Sequence, residues 1–170
     1  MNETTKSIFI LIGITFTLML LVPDVLWLRL RPDNDGYARF FKAHPFLLAL
    51  ESSPKYLTIV NALFFIGHPA PDTKTSLWLP VCGFVLMLAY DIGLMKRIAQ
   101  NKASCGLYDM LFGLPPQEAM LPIAAFILLG IYEQSFSIIF TSFLWAVGHI
   151  AILLKNNRER PYQSVSETEQ

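Results

Sequence analysis

From Ala119 to Leu154 the chain carries 36 consecutive residues with a single strongly polar break, Glu133-Gln134-Ser135. As one α-helix this run would measure about 54 Å at about 1.5 Å per residue, far more than the roughly 30 Å of a bilayer's hydrocarbon core. It must therefore turn. The polar break predicts a short hairpin of two apolar helices over 116–132 and 135–154.

The rest of the chain asks for the same solvent. Hydrophobic residues make up 54% of the sequence and charged residues 15%, against about half and about a quarter in ordinary soluble domains. The excess apolar surface needs lipid. Spans of about 20 apolar residues are expected over 7–28 and 75–95, with a further span over 54–69. Glu51-Ser-Ser-Pro54-Lys55 interrupts the apolar stretch that begins at Pro45, so 45–50 is read as an interfacial approach. The first stretch ends in Val22-Pro23-Asp24 with no small-residue cleavage site, as a retained span does and a signal peptide does not.

These five segments predict an all-α, multi-pass transmembrane bundle, and the basic residues orient it, because cytoplasmic loops keep an excess of Lys and Arg. Arg29, Arg31, Arg39 and Lys42 follow the first span, Lys96, Arg97 and Lys102 the third, and Lys155, Arg158 and Arg160 the fifth. The opposite side holds Lys6 and Lys74. The N-terminus is then outside and the C-terminus cytoplasmic, whereas four spans would leave the basic tail on the wrong face. Residues 155–170 are too polar to fold alone and read as a disordered tail. Segments 33–50 and 103–113 mix aromatic and charged residues as interfacial helices do. Net charge is zero, so nothing draws the chain to nucleic acid.

Ionisable side chains inside spans are costly and usually face the bundle interior. Asp24, Asp91 and His149 are therefore the candidate catalytic residues, each placed roughly 8 to 9 Å inside the cytoplasmic boundary. With Asn61 and Glu118 they form the candidate ligand-binding set. Helical spacing aligns Gly13, Thr17, Leu20 and Asp24 on the first span, and Ser135, Ser142, Ala146 and His149 on the last. Thr58, Asn61, Phe65 and His68 share a face of the second. On the third, Asp91 follows Phe84 and Met87 beside a strip of Cys82, Ala89 and Gly93. The sharp reading is one polar pocket opening to the cytoplasm; the plain one is interfacial pairing of Asp91 with Lys96 and a His149 bonded to a neighbouring helix. No Glu-x-x-His pair occurs on one helix, so no metal site is expected. Cys82 and Cys105 are read as unpaired thiols, and Trp27, Trp78, Trp145 and Tyr56 as interfacial anchors.

Two family resemblances are present. His44-Pro45-Phe-Leu-Leu with Asn61 downstream resembles the Asp-Pro-Leu-Leu segment and second helix of the emopamil-binding and sigma-2-receptor-like family, with His44 and Asn61 standing where that family has acidic residues. That resemblance implies a sterol-like ligand or substrate, and Asp24 falls where the family has an aspartate. Arg39-Phe-Phe-Lys42-Ala43-His44 with Glu51-Ser-Ser-Pro54 resembles a stretch of the membrane-associated glutathione and eicosanoid enzymes.

Three functions follow as expectations. The first is a binder of lipid or an apolar small molecule, or a subunit of a membrane complex or homo-oligomer. The second is an integral membrane enzyme with Asp91 and His149 as acid and base. The third is a proton-coupled transporter or channel subunit. No motif names a cofactor.

Overall fold

The computed structural model describes residues 3–30, 44–64, 78–99 and 117–166, and side chains over 10–26, 44–64, 78–96 and 120–155. These residues form five α-helices and no strand: α1 (Glu3–Leu30), α2 (Pro45–Phe64), α3 (Trp78–Ala99), α4 (Gln117–Tyr132) and α5 (Phe136–Ser166). Helix α1 packs on α2 and α3, α3 on α4, α4 on α5, and α5 on α2, so the neighbours close a ring.

Each helix is apolar enough to bury one face, and the buried faces meet in a core around Phe16, Leu20, Met87, Leu94, Phe126, Leu129 and Trp145. Phe16 and Phe126 lie edge to face with centroids 6.0 Å apart, the arrangement that aromatic quadrupoles favour. The opposite faces are equally apolar. Leu11, Ile14, Leu18, Val22 and Val25 stand exposed on α1, and Phe136, Phe140, Phe143, Val147, Ile150 and Leu154 on α5. Helices α2 and α3 carry comparable stripes, while Ile131 is the one exposed large apolar residue described on α4. Two segments, Trp78–Lys96 and Phe136–Lys155, are long and apolar enough to cross a membrane; the apolar stretches Ile10–Leu26 and Met120–Tyr132 are shorter.

Close helix approach is built on small residues, as in membrane bundles. A Cβ on Gly13 of α1 would overlap the carbonyl oxygen of Ala62 on α2, and one on Gly148 of α5 would come within 2.5 Å of the carbonyl oxygen of Leu50 on α2. The second contact has a cause in sequence. Pro54 lacks an N–H and so leaves Leu50 without its usual helical partner, and that carbonyl is the one against which Gly148 packs.

The turn between α4 and α5 closes a Schellman motif, with the Ser135 amide donating to the Gly130 carbonyl at 2.9 Å and the Gln134 amide to that of Ile131 at 3.2 Å. Gln134 takes the left-handed position at φ 51°, where glycine is usual. Ser135 also opens α5, its carbonyl accepting from the Ile139 amide.

Three expectations are corrected here. Helix α2 begins at Pro45 and runs unbroken through Glu51, Pro54 and Lys55, so 45–50 belongs to the helix. Helix α5 continues through the tail to Ser166; Lys155, Arg158, Glu159 and Arg160 are good helix formers and extend a helix already nucleated. Trp145 is buried in the core beside Phe126 at 6.3 Å, not anchored at an interface, whereas Trp78 and Tyr56 are exposed. Residues 31–43 and 100–116, which include most of the two interfacial segments, lie outside the described residues.

Candidate functional site

Helix α2 presents a polar side chain on almost every turn of one face: Glu51, Lys55, Thr58 and Asn61, at spacings of four and three. Three of them meet a partner on another helix. Glu51 Oε1 lies 2.7 Å from Nδ1 of His149 on α5. Lys55 pairs with the Asp24 carboxylate of α1, whose second oxygen accepts the Tyr90 hydroxyl of α3 at 2.9 Å. The Lys55 ammonium also stands 5.8 Å from the centre of the Trp145 ring, within cation–π range. The Thr58 and Thr141 hydroxyls are 2.9 Å apart, and each also reaches a carbonyl of its own helix, Pro54 and Ser137 respectively.

The result is a ladder of three rungs that ties α1, α3 and α5 to α2. Its ionisable groups are paired within a turn of each other, two acids with one lysine and one histidine. In an apolar interior this pairing is what makes such groups tolerable, since an isolated charge there costs several kcal/mol.

Of the residues singled out in the sequence, Asp24 and His149 both dock on α2, one turn apart, through Lys55 and Glu51. Asn61 is buried further along the same face. The side chain of Glu118 lies outside the described residues. Asp91 stands apart. The inward face of α3 is carried by Gly83, Met87, Tyr90 and Leu94, and the strip of Cys82 and Ala89 faces outward. Asp91 is half-buried, its Oδ1 has no hydrogen-bond partner, and no ion pair joins it to Lys96. With Ile92, Met95 and Lys96 it lines an open groove of about 390 Å3.

Sequence reasoning missed Glu51, Lys55 and Tyr90. The spacing of Glu51, Lys55 and Thr58 was the available signal for the first two; Tyr90 carried none. It also treated Glu133 only as a turn residue, whereas that side chain is 1% exposed with both carboxyl oxygens lacking a hydrogen-bond partner. Among the described residues no three His, Cys, Asp or Glu side chains gather to hold a metal ion. Comparison with protein-family models, with curated proteins and with solved structures gives no match to this chain.

Proposed function

We propose that the chain is a five-span integral membrane protein that works by binding, taking an amphipathic lipid or apolar small molecule at the Asp91 face of α3. The membrane part of this reading is supported by the exposed apolar stripes on α1, α2, α3 and α5, a surface far more apolar than soluble proteins present. With all five helices in lipid, the ladder lies within the bilayer and its pairs fasten the bundle. Two helices meet the length and hydropathy of a span on their own; the other three are carried by the ring packing that joins them to those two.

The observation that carries the binding role is the contrast between acids. Asp24 and Glu51 are engaged by neighbouring helices, while Asp91 has an oxygen with no partner and opens on a groove lined by Ile92, Met95 and Lys96. A carboxyl beside apolar walls and a lysine suits a ligand with a polar head and an apolar body. The acid–base enzyme reading needs Asp91 and His149 on one substrate, yet Asp91 makes no hydrogen bond to His149, whose ring is directed to Glu51.

Mass spectrometry of the protein purified in mild detergent tests the proposal. A lipid or small molecule should accompany the wild type and be lost from Asp91→Asn and Asp91→Leu, both of which should remain folded. An identical set of bound species in all three proteins overturns it, and loss of a protein partner alone would make the face a subunit interface instead.

A further inference from the structure

The ladder engages Asp24 and Glu51, whereas the hairpin end contains an acid with no counterpart among the described residues. Glu133 is buried to 1% exposure where α4 turns into α5, and neither carboxyl oxygen has a hydrogen-bond partner. Backbone donors do not serve it: the amides of Glu133, Gln134 and Ser135 are spent on the carbonyls of Leu129, Ile131 and Gly130. Nor do charges. Residues 10–23 of α1 and 57–64 of α2 contain no titratable side chain, and 78–89 of α3 contain only Cys82, which is exposed. On its own hairpin, the titratable group that feels its charge is Tyr132, itself an acid. The C-terminal carbonyls of α4 and the N-terminal amides of α5 meet at this point with opposing potentials, and none of those amides reaches the Glu133 carboxyl.

Among the described residues a carboxylate in such a site has no cation and no donor, so it must take up a proton or be rehydrated. Rehydration needs the turn to open, and the turn has a built-in weakness in Gln134, a non-glycine residue held at φ 51°. We propose that Glu133 is a proton-binding site that latches the α4–α5 turn: the turn is closed while the carboxyl carries its proton, and losing that proton to water opens it. In the step one O–H bond of the carboxyl breaks and the proton leaves to a water or buffer base, with no other reactant. Burial pushes the Glu133 carboxyl up to about 8, which places the latch within the range of ordinary external pH.

The test uses the full chain in lipid nanodiscs with Cys82→Ser and Cys105→Ser, and Ser135→Cys as a buried reporter one residue beyond Gln134. Its rate of reaction with a water-soluble thiol reagent is measured from pH 6 to pH 9 in the native and Glu133→Gln backgrounds. Taking the ratio of the two rates at each pH cancels the chemistry of the reagent. The ratio should be near one at pH 6 and rise by about tenfold by pH 9 as local opening becomes populated. A ratio that stays at one throughout overturns the latch. Infrared difference spectra of the same samples should show a protonated-carboxyl band that disappears over this range and is missing from Glu133→Gln; if no such band is present at pH 6, Glu133 is not the proton site.

Discussion

The imidazole Nδ1 of His149 on α5 lies 2.7 Å from Oε1 of Glu51 on α2, joining two helices through residues 98 positions apart. Both side chains are largely buried, so the contact replaces hydration that neither group retains. His149→Leu keeps the apolar packing but removes one half of the pair, and should cost about 1–3 kcal/mol of stability. Glu51→Gln, which preserves an acceptor, should cost less. Thermal unfolding in a single detergent measures both; a His149→Leu protein as stable as the wild type would show that the pair contributes nothing.

The middle rung makes a graded test, because Asp24 has two partners of unequal charge. Lys55→Met leaves the Asp24 carboxylate with the Tyr90 hydroxyl but without a cation, and should cost about 2 kcal/mol, discounted for the partial exposure of the pair. Tyr90→Phe removes one hydrogen bond to a charged oxygen and should cost about 1 kcal/mol. Adding Asp24→Asn to Lys55→Met should recover part of the loss. The reverse order of the two single variants would mean that the lysine is solvated and not a rung.

At the crossing of α2 and α5, a methyl group has no room. Gly148→Ala places a Cβ 2.5 Å from the Leu50 carbonyl oxygen and 2.9 Å from the Glu51 Cα, both backbone atoms. Forcing the helices apart should cost about 1–3 kcal/mol. It should also weaken the neighbouring Glu51–His149 contact, so Gly148→Ala and His149→Leu together should cost less than the sum of their separate effects. Ala89→Leu, on the exposed face of α3, should leave the unfolding temperature unchanged. Equal tolerance at the two positions would contradict the close crossing.

Glu133 gives the protein a pH dependence of definite sign. Its carboxyl is raised from the ordinary 4.5 to about 8 by burial, so between those values the folded protein holds a proton that the unfolded chain has released. Stability is therefore greatest below about pH 4.5, as far as this group is concerned, and falls as pH rises towards 8. Glu133→Gln should remove that slope and be the more stable protein at pH 8. Unfolding midpoints at pH 5, 6, 7 and 8 decide it, and parallel profiles for the two proteins would place the Glu133 carboxylate in contact with water.

Helix length arithmetic was enough to locate the α4–α5 hairpin, because a largely apolar run of 36 residues is too long for one helix across a bilayer and offers a single strongly polar place to turn. Seven-residue spacing put Ser135, Ser142 and His149 on one face, and all three are buried. What remained illegible was tertiary. Glu51, Pro54 and Lys55 have the composition of a helix break, yet α2 persists because other helices supply His149 and Asp24 to the charges and Gly148 to the carbonyl that Pro54 frees. Tyr90 was hidden for a different reason. Its phenol is ordinary in an apolar run, and only the roll of α3, which turns Met87 and Tyr90 inward, sends its hydroxyl to Asp24 and leaves Asp91 on the groove. Trp145 looked like an interfacial anchor because nothing in its own helix reveals Phe126 and Lys55 on either side.

Everything proposed for the ladder and the Asp91 face rests on five crossings, and sidedness measures that number directly. Single cysteines at Ser7, Gln134 and Ser166, introduced with Cys82→Ser and Cys105→Ser, can be labelled in intact cells with a membrane-impermeant reagent and again after permeabilisation. Five spans require Ser7→Cys and Gln134→Cys to react from outside and Ser166→Cys to react only after permeabilisation, as the distribution of Lys and Arg also demands. Reaction of Ser7→Cys and Ser166→Cys from the same side would mean an even number of crossings, such as the two made by α3 and α5 alone, and would contradict the five-span bundle.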